Sequence, residues 1–257
     1  MAAIVAYGGQ VDISGMPALN SRMRSQRAAG IALLLSLAGI GLCAYLEYLH
    51  LGLMRGELVG GIACGGTGSA FNCHAVTGSR FGSLLGVPLA LWGLVGYLTA
   101  GALALVAWRF PDWSERALLS LAGLSALFVL LDVVLLVTML TQIHLLCLLC
   151  LTTYGVNLAL LLAAKIGSGQ SWSAVVRQGI PSLAGWLTPG RQPIQWAVWL
   201  VALIGLAGVW SVNAATLYIA RGSPAAFRTQ IDQFVKDQEA KVVDVAGDPI
   251  HGSPNAP

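Results

Sequence analysis

Five apolar stretches, at roughly 29–50, 83–108, 117–141, 144–165 and 195–219, dominate this 257-residue chain. Each reaches the ~20 mostly apolar residues needed to cross a hydrocarbon core of about 30 Å. A backbone in lipid must satisfy its own N–H and C=O groups, which leaves helices as the element for such runs. With 56% hydrophobic and 10% charged residues and a mean hydropathy of +0.75, the composition fits no soluble domain of this length. The expectation is an all-α integral membrane protein. The weakest boundary falls at Gln142-Ile143-His144-Leu145-Leu146, which has no Gly or Pro. One uninterrupted helix over 117–164 would run about 72 Å at ~1.5 Å per residue, more than two bilayer cores, so a tight hairpin is expected there. The first apolar run has no cleavage pattern after it and reads as a retained helix.

Positive charge orients the spans. Arg22, Arg24, Arg27, Arg109, Arg116, Lys165, Arg177 and Arg191 flank one side, against Arg55, Arg80, Arg221 and Arg228 on the other. The bias predicts a cytoplasmic N-terminus and an extracytoplasmic C-terminus. It also places the loop 51–82, the turn at 141–146 and the tail outside. No basic patch interleaved with aromatics points to nucleic acid. Residues 1–27 read as a poorly ordered cytoplasmic arm. Residues 166–194 read as a cytoplasmic connection with a short interfacial helix around Trp172–Arg177, and 220–257 as an extracytoplasmic linker. In that linker Phe227, Ile231, Phe234 and Val235 recur at helical spacing, suited to a membrane surface or a short stalk.

Four of the five cysteines fall on that outer side, where disulfides persist in bacteria. Cys64 and Cys73 bound a Gly-rich loop segment, which fits either a relay that meets two partners or a structural disulfide. Cys147 and Cys150 form a C-x-x-C at the start of the fourth span, with both sulfurs on one helical face. Cys147 in an opening turn would be favoured as thiolate by free N–H groups and the helix dipole. Cys150, a turn deeper, could hand electrons to a lipid-soluble acceptor. Two small apolar residues in a helix interface would look the same. A four-cysteine zinc site lacks a second close-spaced pair, so no metal is expected. Asp132, ionisable within a span, is a functional candidate or a partner for a neighbouring helix. Glu47 is expected to reach the interface, His74 to face solvent or to assist Cys73, His144 to lie at the interface, and Cys43 to pack. Pro88 either bends the second span or sits in its first turn.

In order and spacing, the loop pair, Cys73-His74-Ala75-Val76-Thr77-Gly78-Ser79-Arg80-Phe81-Gly82 and Cys147-Leu148-Leu149-Cys150-Leu151-Thr152-Thr153-Tyr154 resemble the vitamin K epoxide reductase family over about 30–165. The resemblance implies a four-helix transmembrane bundle around a quinone pocket, spanning 28–165, with the helix at 195–219 as a fifth span. It implies that Cys64 exchanges with a partner thiol, Cys73 relays to Cys147, and Cys150 faces the quinone, with Ser79, Phe81 and Tyr154 at the pocket. Quinone, as menaquinone or ubiquinone, is the implied electron acceptor. A thioredoxin-like periplasmic protein or fused domain is the implied partner, since Asp248–Pro257 resembles the linker that leads to such a domain in bacterial fusions. The implied location is a bacterial inner membrane, and the implied role is disulfide formation outside the cytoplasm. Animal members carry a substrate-binding asparagine near the start of the second span; none occurs over 82–107, so quinone reduction is implied and epoxide reduction is not. A protein with structural disulfides only, or a transporter, is the alternative.

Overall fold

A computed structural model describes residues 16–55, 71–188 and 192–222. The expected arm over 1–15, most of the Gly-rich loop with Cys64, and the linker beyond 222 lie outside the described residues. Seven α-helices are found among the described residues: α1 (Met16–Arg55), α2 (Cys73–Thr77), α3 (Leu89–Arg109), α4 (Pro111–Thr138), α5 (Leu148–Ser168), α6 (Trp172–Ala184) and α7 (Pro193–Gly222). Two-residue strands β1 (Ser83–Leu84) and β2 (Val87–Pro88) form an antiparallel hairpin. Five of the helices, α1, α3, α4, α5 and α7, are long and apolar enough to cross a membrane. Ile31, Leu34 and Leu37 on α1, and Leu130, Val133, Val134 and Val137 on α4, are exposed. Apolar stripes turned outward on long helices belong against lipid, and the protein is a multi-pass membrane protein.

Helices α1, α3, α4 and α5 close a ring of contacts, α1 on α3, α3 on α4, α4 on α5 and α5 on α1, while α7 lies outside on α3 and α6 on α4. Small residues let the backbones approach. A side chain at Gly93 of α3 would stand 2.8 Å from the Cys43 sulfur of α1. Cys43 is buried, as a packing residue requires.

Several boundaries differ from those the hydropathy suggests. Helix α1 begins at Met16, inside the stretch expected to be an unordered arm, and the Ser25 hydroxyl meets that of Ser114 on α4 at 3.0 Å. The second span starts at Leu89, since 83–88 is spent on the hairpin, and Pro88 caps α3 without bending it. Helix α6 runs on to Ala184 through Pro181, where Gly179 lies against Gly123 of α4. The expected hairpin after the third span is made by a π-helical turn, Met139–Ile143, and by His144 in the left-handed region at φ 57°. Histidine tolerates that conformation better than most side chains, so the chain reverses with neither Gly nor Pro.

Candidate functional site

Backbone contact between two distant segments helps assemble the site. Phe71 and Leu146 form an isolated parallel bridge, and the Asn72 N–H donates to the Leu146 carbonyl at 2.8 Å. The contact brings Cys73, two residues after Phe71, into the same buried cluster as Cys147, the residue after Leu146. Each then enters a helix. Asn72 caps α2 by accepting from the Ala75 N–H at 3.0 Å, and Cys73 opens that helix. Cys147 is itself the N-cap of α5, its Sγ accepting from the Cys150 N–H at 3.1 Å. A thiol here does the work usually given to a Ser or Asp oxygen, taking up one of the orphan N–H groups of a first turn.

Cys73 and Cys147 are fully buried in one apolar cluster with Leu46, Leu49, Val76 and Met139. The Cys147 thiol lies in hydrogen-bonding reach of two sulfurs. Cys150 pushes it up, Cys73 opposes that, and burial adds to the rise, to about 12. Cys147 is therefore held as a neutral thiol when reduced, which corrects the expectation of a dipole-stabilised thiolate. It sits as N-cap rather than within the opening turn, and the Cys150 sulfur together with burial outweighs the Cys73 sulfur and the Cys150 N–H, which favour the thiolate. Cys64 lies outside the described residues.

Cys150 is half-buried and opens on a cavity of about 80 Å³ whose walls include Phe81, His50, Leu89, Met139 and Tyr154. A second cavity of about 210 Å³ shares Cys150 and Tyr154 and runs on to Trp92, Phe128, Leu131 and Asp132. Leu131 is 50% exposed on the outside of the bundle, so this wall borders the lipid face. Apolar walls with a few convergent polar groups are the usual make-up of a small-molecule site. An apolar redox carrier that travels in lipid fits it. Among the described residues no group of three His, Cys, Asp or Glu is arranged to hold a metal ion.

Phe81 and Tyr154 line the cavity, but Ser79 does not. The Ser79 hydroxyl donates to the Val76 carbonyl at 2.8 Å and accepts from the Phe81 N–H at 3.3 Å, so it shapes the loop that presents Phe81. Gly82 completes that loop, its carbonyl accepting from Leu89 N–H at 2.9 Å. A Cβ at Gly82 would collide with the Thr77 carbonyl, so only glycine fits. Arg80 stacks over the Phe81 ring at 4.7 Å.

Three further residues differ from their expected places. Glu47 is 7% exposed rather than at the interface, and both its carboxyl oxygens lack a hydrogen-bond partner among the described residues. It lies on the inward face of α1, one turn after Cys43. The His74 Nδ1 is also buried without such a partner, so this ring does not simply face solvent. Asp132 bonds a neighbouring helix, receiving both 3.1 and 2.9 Å contacts from the Asn157 amide, and it lines the cavity as well. Asn157 and Tyr97 join the site without having been singled out. The available signal was position: Asn157 follows Cys150 and Tyr154 at helical spacing inside an apolar span.

No curated protein matches the chain in sequence. The model of the vitamin K epoxide reductase family matches residues 30–164, a stretch that holds most of each of the four bundle helices and both cysteine motifs. With more than half its length so matched, and with thiols stacked against a membrane cavity, the chain belongs to the vitamin K epoxide reductase family of membrane thiol oxidoreductases.

Proposed function

We propose that this protein oxidises the thiols of a thioredoxin-like partner outside the cytoplasm and passes the electrons to a quinone, supporting disulfide formation in a bacterial plasma membrane. The observation that carries the proposal is the row of three sulfurs, with Cys147 in reach of both Cys73 and Cys150 and Cys150 alone of the three open to the cavity.

The exchange starts with a partner thiolate attacking the Cys64–Cys73 disulfide at Cys64, which frees Cys73. Cys73 then attacks the Cys147–Cys150 disulfide at Cys147. Attack at that sulfur follows from contact, since the cluster that buries Cys73 also buries Cys147. Cys150 leaves as a thiolate toward the cavity. The partner's second thiol then resolves the mixed disulfide at Cys64 and leaves oxidised, and the freed Cys64 attacks the Cys73–Cys147 disulfide at Cys73, which restores Cys64–Cys73 and leaves Cys147 and Cys150 reduced. Because Cys147 is held as a thiol, it keeps its proton until its disulfide with Cys150 closes again. A bound quinone supplies a two-electron, two-proton acceptor; Cys150, Phe81 and Tyr154 are the residues that would hold it. Burial of Cys73 and Cys147 keeps other thiols from short-circuiting the relay.

The test is steady-state quinone reduction by purified protein supplied with a dithiol, wild type against Cys150→Ala. Activity in the wild type and its loss in the variant is the expected result. Equal rates in the two proteins would remove Cys150 from the path, and no reduction by the wild type would leave only static disulfides.

A further inference from the structure

The cavity beside Cys150 carries a polar chain that thiol exchange does not use. The Tyr97 hydroxyl of α3 donates to the Asn157 Oδ1 of α5, and the Asn157 Nδ2 donates to both carboxyl oxygens of Asp132 on α4, at 3.1 and 2.9 Å. With a phenol donor on its oxygen, the Asn157 amide must turn its N–H groups to Asp132. Three helices of the bundle thus contribute one group each, and the donors run in one direction, from the phenol to the amide and from the amide to the carboxyl. A carboxyl group has more hydrogen-bonding capacity than one amide fills, and Asp132 lines the same cavity as Cys150. An ionisable side chain in a membrane span is costly and marks function by default.

We propose that Asp132 is the proton donor to the electron acceptor at Cys150, held in place by Asn157 and Tyr97. This rests on the thiol-to-quinone reading above and extends it. Closing the Cys147–Cys150 disulfide from one thiol and one thiolate releases two electrons and one proton. A two-electron, two-proton acceptor needs one proton more. Asp132 gives it up, becomes a carboxylate beside its amide donor, and is recharged from the protons that the incoming dithiol has shed. Electrons, protons and charge then balance over each turnover.

The titratable groups that face Asp132 across the cavity are Cys43 from α1, Tyr97 from α3, and Cys150 and Tyr154 from α5. His50 of α1 lines the adjoining cavity. Glu47 of α1 lines neither. Asp132 is accordingly the carboxyl that lines the cavity among the described residues.

Asp132→Asn keeps the shape and removes the exchangeable proton. Quinone reduction should fall about 100-fold or more, the usual scale of a lost general acid, while a dithiol still reduces the Cys147–Cys150 disulfide, followed by thiol labelling with no quinone present. The fall of the wild-type rate as pH rises through the ionisation of Asp132 should vanish in Asp132→Asn and return in Asp132→Glu. Independent of turnover, the protonated-carboxyl infrared band that titrates in quinone-free wild type should lose one component, that of Asp132, in Asp132→Asn, with the component of buried Glu47 unchanged. A variant with wild-type rate and pH profile, or a wild type without that component, would overturn the assignment. If Asp132→Asn does not fold, Tyr97→Phe carries the test: releasing the amide should displace the pH limb, and an unmoved limb would sink the proposal. Failure of the thiol-to-quinone reading looks different, since wild type and Cys150→Ala would then behave alike.

Discussion

At the end of the bundle away from the cysteines, Ala29, Ala32, Ala104, Ala107, Ala117 and Ala164 are each completely buried, and the four helices meet through their smallest side chains. At the other end the same helices are held apart by Leu46, Phe81, Met139 and Tyr154 and enclose cavities. Departures from regular structure gather at that second end. Both non-glycine residues with positive φ, Leu85 and His144, lie there among the described residues, as do the π-helical turn after α4 and the unpartnered Glu47 and His74 atoms. Close-packed alanines leave nothing to move and nothing to react. Backbone strain persists only where the surrounding structure sustains it, and it clusters at functional sites. The difference assigns stability to one end and chemistry to the other.

The sharpest way to break that division is Cys150→Ala, which should reduce quinone turnover about 1,000-fold or more with little change in thermal midpoint, as assayed by quinone absorbance and by unfolding in detergent. A large fall in midpoint would mean that the cysteine end also carries the fold. Next, Cys73→Ala should abolish turnover driven by a protein dithiol and leave part of that driven by a small dithiol that can reach half-buried Cys150. Equal loss with both donors would mean that Cys73 holds the fold rather than relaying electrons. At the alanine end the pattern should invert. Ala122→Leu over-packs a fully buried position, and should destabilise by about 1–3 kcal/mol while activity per folded molecule stays at the wild-type level. Lost specific activity there would contradict the division.

Smaller effects sharpen the geometry of the site. Removing the cap with Asn72→Ala should cost about 1 kcal/mol, read as faster amide exchange in α2 and slower thiol transfer. In fully reduced protein, alkylation of Cys147 should keep rising about tenfold per pH unit, the slope of a thiol still mostly protonated. The ordinary thiol value is 9.0 and the rise should continue toward about 12. A plateau near 9.0 would mean that the neighbouring sulfurs do not hold its proton.

The long helices were legible because lipid imposes length and hydropathy on a sequence directly. Their ends were less so. Ser83–Pro88 continues an apolar run, and nothing in its hydropathy distinguishes helix from a hairpin turning at Leu85 and Gly86. Pro181 reads as a helix stop, yet α6 passes through it because Gly179 and Leu183 are anchored on the rest of the protein. In the site, the C-x-x-C was legible as a pair at the start of α5, since its spacing is local, although Cys147 proves to be the N-cap rather than a residue of the first turn. The meeting of Cys73 with Cys147 was legible only through the family resemblance, because it depends on the Phe71–Leu146 bridge across 75 positions. Likewise the Tyr97–Asn157–Asp132 chain draws on three helices, and no single span reveals it. Ser79 could be placed near the pocket by resemblance, but only the folded loop shows its hydroxyl spent on Val76 and Phe81.

The central claim is that Cys147 exchanges with Cys73 on one side and Cys150 on the other, and disulfide mapping by mass spectrometry in the Cys150→Ala protein tests it most directly. With its cavity-side partner gone, Cys147 should attack the Cys64–Cys73 disulfide at Cys73 and be recovered joined to Cys73, with Cys64 left as a thiol. Recovery of Cys147 as an unmodified thiol, with Cys73 joined only to Cys64, would contradict the relay.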